Sequence, residues 1–182
     1  EPARVGAGPR GPRSLRRPGG EAAAPAGTGC RVTRGQESPS GDPSGAVRIV
    51  ERLPTVDESL ALRRAVGWTV HDPDATAEGL ARTLFAVCAE LDGKIIGMAK
   101  VAGNGSTCFY VHDVVVAPGH QGRGIGRRLM ERVMAYLATN ACAGAVVALM
   151  AAEGREGFYE PFGFVRRPTA SLGHGMTQFW QG

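Results

Sequence analysis

The sequence predicts one mixed α/β (α+β) domain, in which helices cover both faces of a mostly antiparallel central sheet. Two apolar runs separated by Asp92-Gly93 predict an antiparallel hairpin, because this dipeptide favours the tight turn that joins paired strands. An amphipathic stretch from Ile125 predicts a long helix. The remaining segments complete the order β-α-α-β-β-β-α-β-α-β-β, which is typical of a sheet between layers of helices.

The chain divides into two parts of different composition. Residues 1–45 contain ten glycines, seven prolines and seven arginines, but almost no large apolar side chains. Such a segment cannot bury enough surface to offset the entropy of ordering it, so we expect a disordered tail. Residues 46–182 carry the apolar periodicity, and this length suffices for one domain with a core.

A strand and two helices are expected directly after the tail. Residues 47–50 have an apolar strand pattern, and Pro54 opens a helical pattern of apolar residues. A second helix is predicted over 74–84, with Asp74 or Thr76 as its N-cap.

A meander of three strands follows. Residues 85–91 and 95–101 flank the Asp92-Gly93 turn and should pair with each other. A second glycine-containing turn leads into a strand over 107–116.

The last part of the sequence completes both layers. The helix that begins at Ile125 has one apolar stripe opposite a charged face. We expect a buried strand over 146–150, a short helix near 157–162, and two final strands over 164–166 and 176–179.

Charge and cysteine usage exclude several classes of function. The formal charge is +4, but residues 46–182 hold fourteen basic against thirteen acidic side chains, so a nucleic-acid partner is not expected. No apolar stretch is long enough for a membrane span, so we expect a cytoplasmic protein without a membrane partner. The four cysteines are scattered without a C-x-x-C pair, so no metal site is expected.

A glycine-rich segment joins the third meander strand to the amphipathic helix. The first amides of a helix have no internal acceptor and carry a positive partial charge, so this junction suits an anion such as a pyrophosphate. Gly122, Gly124 and Gly126 let the backbone approach closely, and Arg123 and Arg127 add positive charge. The segment does not match a dinucleotide-binding motif, which needs glycine or alanine at position 127, where this chain has arginine. It also lacks the Gly-Lys-Ser/Thr end of a P-loop.

Two segments carry a family resemblance. Gln121-x-x-Gly124-x-Gly126 after an apolar strand resembles the acetyl-CoA signature of the GNAT superfamily of N-acetyltransferases. The later segment Phe158-Tyr159-Glu160-Pro161-Phe162-Gly163-Phe164 resembles the family's F-Y-x-x-x-G-F motif. Both occur in the family's order and spacing, and the resemblance covers residues 46–182. The loop alone would leave open a glycine-rich turn without a ligand.

The resemblance implies a GNAT fold with acetyl-CoA as cosubstrate between two splayed strands, 107–116 and 146–150. Backbone groups of Val114, Val115 and Val116 would bind the pantetheine arm and polarise the thioester carbonyl, and the acetyl group would pass directly to an amine. The residues implied around the pyrophosphate are Gln121, Gly122, Arg123, Gly124, Ile125, Gly126 and Arg127.

Two catalytic residues are predicted. Tyr159 is implied as the general acid, because a phenol with a pKa near 10 suits the return of a proton to a thiolate. His112 falls where some family members carry a proton-relay histidine, and its ordinary pKa suits a general base. Strand alternation puts Tyr110, His112 and Val114 on one face and Asp113 on the other. Asp113 and ordered water are the alternatives for the base.

The acceptor is expected to be a primary amine on a small molecule. Trp68 could wall its pocket, and His71, Asp72 and Asp74 could hold an ammonium group between the first two helices. A protein or peptide acceptor, a non-catalytic acyl-CoA-binding module, and a homodimer remain open interpretations.

Overall fold

The computed structural model describes residues 46–179. The tail predicted to be disordered, residues 1–45, lies outside the described residues. The strands of the described part are β1 (Arg48–Val50), β2 (Phe85–Leu91), β3 (Lys94–Gly103), β4 (Cys108–Val116) and β5 (Val146–Leu149). Its helices are α1 (Val56–Ala65), α2 (Pro73–Ala81), α3 (Ile125–Asn140) and α4 (Glu156–Tyr159), with short 3-10 turns at Pro118–His120 and Glu160–Phe162.

The strands form one sheet in chain order, β1-β2-β3-β4-β5. The first three pairings are antiparallel, and β4 pairs with β5 in parallel. Asp92 and Gly93 form the turn between β2 and β3 at positive φ angles of 50° and 73°. The mixed, mostly antiparallel sheet predicted from the sequence is therefore confirmed.

Helices cover both faces of this sheet. On one face, α3 packs its apolar stripe against β2, β3 and β4, and Leu129, Met130 and Val133 become fully buried. Burial of each such side chain contributes about 1.5–3 kcal/mol to stability. On the opposite face, α1 packs against β3 and β4. A second apolar cluster forms there from Leu62, Cys88, Met98 and Val115.

The second helix begins earlier than predicted. A helix over 74–84 capped by Asp74 or Thr76 was expected, but α2 begins at Pro73 and is capped by Asp72. The Asp72 carboxylate accepts hydrogen bonds from the two amides that follow the proline, at 2.9 and 3.1 Å. Proline is well suited to the first helical position, where no amide proton is needed.

The two strands predicted over 164–166 and 176–179 are absent from these described residues. Val165 is 67% exposed and Met176 is 91% exposed, so their apolar side chains have no core to face. Pro168 between them lacks the amide that a sheet partner would need. The sheet therefore ends at β5 within the described part of the chain.

Across residues 46–179, no helix is long and apolar enough to cross a membrane. The same residues contain no group of three or more His, Cys, Asp or Glu side chains placed to hold a metal ion.

Candidate active site

β4 and β5 separate where their pairing ends. Their parallel register runs from Cys108 opposite Val146 to Val111 opposite Leu149. Beyond that point β4 continues to Val116 without β5 beside it. A cavity of about 600 Å³ fills the gap and is lined by β4, the start of α3, the segment after β5, and α4. The splayed pair of strands expected from the family resemblance is present.

The lining of this cavity includes most of the residues predicted to act in the site. Among the predicted cofactor-binding residues, Arg123 alone is outside the lining. Both predicted catalytic residues, Tyr159 and His112, line the cavity. Segments that are far apart in the sequence therefore meet around one space.

The start of α3 presents a run of free backbone amides. The first backbone hydrogen bond of this helix runs from the Arg128 amide to the Gly124 carbonyl, at 3.1 Å. The amides of Ile125, Gly126 and Arg127 therefore have no backbone acceptor within the described residues. Gly124 precedes them in the left-handed conformation, with a φ of 75°. Three such amides at a helix start form a site suited to an anion such as a pyrophosphate.

The side chains predicted to act in this loop make other contacts. Gln121 donates from Nε2 to the Val116 carbonyl at 2.9 Å and so closes the turn after β4. Arg127 pairs with Glu131 at 3.1 Å, and its side chain is 72% exposed. The backbone amides, more than these side chains, therefore form the candidate anion site.

A β-bulge interrupts β4 within the cavity wall. Lys100 of β3 pairs with His112, but Met98 pairs with Val115, so two β4 residues stand opposite one β3 residue. Asp113, the first of these two, has a φ of 49°. Aspartate tolerates this left-handed conformation better than most residues do.

The bulge reverses the predicted alternation of side chains. Val115, not Val114, lies on the face that carries His112, while Val114 packs with the cluster under α3. Asp113 was expected on the face opposite His112, but its carboxylate lies beside the histidine and bonds to Lys100. The prediction failed because the extra residue shifts the period of two by one position.

The Asp113 carboxylate is shared between two cations. Arg63 Nη1 lies 2.5 Å from Oδ1, and Lys100 Nζ lies 2.8 Å from Oδ2. Burial opposes the charge of Asp113, but Lys100 and Arg63 outweigh it and hold the pKa of this carboxyl below its usual value. A carboxylate of this kind is a weak base near neutral pH, which argues against Asp113 as the general base.

His112 lies next to this cluster. Its Nδ1 is 4.0 Å from Asp113 Oδ2, and its ring stacks on Tyr110 with the planes 19° apart. Burial lowers the pKa of His112, and the Asp113 charge only partly offsets that effect. The imidazole is therefore neutral near neutral pH, which is the form that accepts a proton.

Tyr159 lines the cavity at the end of α4. Its ring packs edge-on against Phe158 and Phe164, with centroids 4.9 and 6.1 Å away. Burial raises the pKa of Tyr159, so its hydroxyl keeps the proton near neutral pH. No residue within 46–179 forms a hydrogen bond with this hydroxyl, which leaves it available to a ligand in the cavity.

The link between α1 and α2 forms the remaining wall. Val66 and Trp68 line the cavity, as the sequence suggested for Trp68. His71, Asp72 and Asp74 are not in the described lining. The structure therefore does not bring these three residues to the cavity, and the Asp72 carboxylate instead caps α2.

Sequence reasoning missed the two cations that hold Asp113. Lys100 lies between Ala99 and Val101, which are fully buried. A single lysine inside such an apolar strand is a signal of a buried ion pair. Arg63 gave no comparable signal, because an arginine on a helix is usually solvated.

Comparison with known proteins shows which family the sequence matches. A family model described as the acetyltransferase (GNAT) family matches residues 53–164. A serotonin N-acetyltransferase 2 of chloroplasts from Oryza sativa subsp. japonica is 40% identical over 81 residues, which are 44% of this chain and 40% of that protein. A GCN5-related N-acetyltransferase 1 of chloroplasts from Arabidopsis thaliana is 30% identical over 128 residues, which are 69% of this chain and 64% of that protein.

The chain thus spans less than two thirds of the length of either curated relative. A solved structure of a probable acetyltransferase from meticillin-resistant Staphylococcus aureus superposes with a TM-score of 0.69 at 30% identity. That match covers 74% of this chain and 100% of the other. The chain therefore belongs to the GNAT family of acetyltransferases, whose members use acetyl-CoA.

Proposed function

We propose that this protein is an N-acetyltransferase that moves an acetyl group from acetyl-CoA directly to a primary amine of a small molecule. The proposal rests on the observation that three features share one cavity. These are the candidate anion site at the start of α3, the open edge of β4, and Tyr159.

The donor half of the cavity fits coenzyme A. The free amides of residues 125–127 would donate hydrogen bonds to the pyrophosphate, and an anion there gains several such bonds at once. Val114, Val115 and Val116 lie on the part of β4 that β5 leaves unpaired, which supports a role for their backbone groups in binding the pantetheine arm. The thioester of this cosubstrate supplies the acetyl group.

The catalytic groups have the protonation states that aminolysis requires. Attack needs a neutral amine, and the neutral imidazole of His112, which lines the cavity, would accept the proton that the amine loses. The protonated hydroxyl of Tyr159 then gives its proton to the departing sulfur. No covalent bond between the chain and the acetyl group is needed.

A small acceptor is favoured over a peptide. Trp68 of the α1–α2 link and Met150 of the segment after β5 contribute large apolar side chains to the cavity wall. One curated relative is also named for its activity on serotonin, a small amine.

The proposal is tested by thiol release from acetyl-CoA in the presence of small amines, aminoglycosides and peptides, together with calorimetric binding of CoA. Amine-dependent thiol release with small acceptors is expected. Tight CoA binding without turnover of any acceptor would instead identify a non-catalytic acyl-CoA-binding module. Turnover of peptides alone would overturn the small-molecule assignment.

A further inference from the structure

The part of the cavity near Trp68, His112 and Asp113 is here called the acceptor side. The charge of its carboxylate, Asp113, is fully compensated by neighbouring cations. Within the described lining, Asp113 is the single acidic residue. It is only 11% exposed, and it is shared between Lys100 and Arg63, whose side chains are 8% and 14% exposed. One negative and two positive charges leave this cluster with a net charge of +1.

The other charged groups of the lining are positive or neutral. Arg155 lines the cavity and forms no ion pair with residues 46–179. Arg127 stands at the donor end, where it pairs with Glu131. His112, next to the cluster, is neutral near neutral pH because burial lowers its pKa. The charged residues that line the cavity, taken together with the two cations behind Asp113, therefore carry an excess of positive charge.

Arg63 connects the ion-pair cluster to the segment that contains Trp68. Its Nε donates to the Thr69 carbonyl at 2.9 Å, and its backbone carbonyl accepts from the Trp68 amide at 3.0 Å. Its guanidinium carbon lies 5.6 Å from the centre of the Trp68 ring. Because these contacts fix the guanidinium on both sides, Arg63 cannot turn away from Asp113 without moving the wall that contains Trp68.

Resting on the proposed function, we infer that the Arg63–Asp113–Lys100 cluster makes this site selective for acceptors with one amino group, and excludes acceptors with a second positive charge. An ammonium group in the cavity would find no free carboxylate, because Asp113 is the cluster residue that lines the cavity and Arg63 and Lys100 behind it outweigh its charge. In a partly desolvated site this uncompensated positive charge repels a second ammonium group more strongly than it would in water. Polyamines and aminoglycosides are therefore expected to be poor acceptors.

The experiment uses three acceptors of equal chain length: an alkyl monoamine, an amino alcohol and a diamine. The amino alcohol separates charge from polarity, because it is polar without a second charge. The parent protein should show a kcat/KM for the diamine at least about tenfold below that for the amino alcohol. Equal values for the two, or a preference for the diamine, would overturn the inference without any variant.

The Lys100→Met variant tests whether the cluster is the cause. It keeps a long apolar side chain in place and leaves Asp113 paired with Arg63, so the net charge falls from +1 to zero. The ratio of diamine to amino alcohol kcat/KM should rise about three- to tenfold. Lys94→Met is the matched control, since Lys94 is the other lysine of the chain, lies at the exposed start of β3, and should leave the ratio unchanged. An unchanged ratio in a folded Lys100→Met protein would assign the selectivity elsewhere.

Turnover and amine binding test the proposed function and the charge selectivity separately. If the parent binds CoA but turns over no amine, the enzyme assignment fails. Calorimetric binding of the same three amines to the CoA-loaded protein then still ranks them by charge. A diamine that binds as tightly as the amino alcohol would contradict the inference on that measurement too.

Discussion

The ring of Phe158 lies against Gly126, where an added Cβ would stand 3.3 Å from the Phe158 Cζ atom. The two segments that carry the family resemblance are therefore in direct contact, although most of α3 and the whole of β5 separate them in the sequence. Gly126 contributes one of the free amides of the anion site, and Phe158 precedes Tyr159. The anion site and the proposed general acid are held in place by the same contact.

Gly126→Val should disturb both halves of the site. The new side chain would press on Phe158 and should lower the free energy of unfolding by about 1–3 kcal/mol. Affinity for CoA should fall as well, because the loop and α4 must move apart. Gly119→Val is the control, since nothing lies within 4 Å of a Cβ built at Gly119. Chemical denaturation and calorimetry measure the two effects, and equal CoA affinity in parent and variant would contradict the expectation.

Gly124→Val, compared with a matched glycine substitution, distinguishes the effect of backbone strain on stability from the loss of CoA affinity at the anion site. Gly124 has a φ of 75°, so a β-branched residue there should cost about 1–2 kcal/mol of stability. Gly144→Val is matched, because Gly144 has a φ of 82° and equally open surroundings outside the cavity lining. Both variants should lose similar stability, but only Gly124→Val should lose CoA affinity, by about tenfold or more. A similar loss of affinity in both would mean that strain alone is responsible.

Tyr159→Phe should lower kcat by about 100-fold or more without loss of stability. The hydroxyl has no hydrogen-bond partner within residues 46–179, so its removal leaves no protein group unpaired. Because burial raises the pKa of Tyr159, the parent should lose activity at alkaline pH only above about 10. Tyr136→Phe is the control: Tyr136 belongs to α3, stacks on Phe85 and is outside the described cavity lining, so this change should alter neither rate nor pH profile. An unaltered rate in Tyr159→Phe would remove this residue from the mechanism.

His112 should set the acidic limb of the pH–rate profile. Its pKa in the folded protein is lowered by burial, so the active neutral form appears as pH rises through a value below about 6.5. The kcat/KM calculated for the neutral form of the amine, which removes the titration of the substrate itself, should rise with pH below that value and be constant above it. His112→Gln should remove this limb together with most of the rate, whereas His71→Gln, outside the lining, should keep both. An acidic limb that survives in His112→Gln would point to another base, such as ordered water.

Asp72→Ala should affect stability and not acceptor binding. The Asp72 carboxylate caps α2, and the loss of such a cap costs about 1 kcal/mol. Asp74→Ala removes a neighbouring carboxylate that has no capping bond, so its cost should be smaller. The KM for the amine should be unchanged in both. A raised KM in Asp72→Ala would restore the ammonium-binding role that the sequence suggested.

Local patterns were sufficient for much of the fold. The Asp92-Gly93 turn fixed the hairpin because its geometry depends on adjacent residues, and the apolar stripe from Ile125 predicted α3 for the same reason. The start of α2 was missed because Asp72, Asp74 and Thr76 are all good caps. Pro73, which favours the first helical position, is the residue that distinguishes them.

The electrostatics of the site could not be predicted in this way. Asp113 and Arg63 are 50 positions apart, and their contact depends on how α1 lies across the sheet. Lys100 reaches the same carboxylate only because β3 and β4 are neighbours. The glycine loop and Tyr159 were found through motifs, while this cluster belongs to no motif and exists only in the folded chain.

The bulge at Asp113 also constrains the length of β4. Up to Val111 the odd-numbered residues face α3, whereas after the bulge the even-numbered residues do, so the alternation of side chains shifts by one residue within the cavity wall. A substitution at the bulge does not change which residues face α3. A deletion or insertion of one residue there would turn Val115 and Val116 to the wrong layers together. The strand should therefore tolerate changes of identity at this point far better than changes of length.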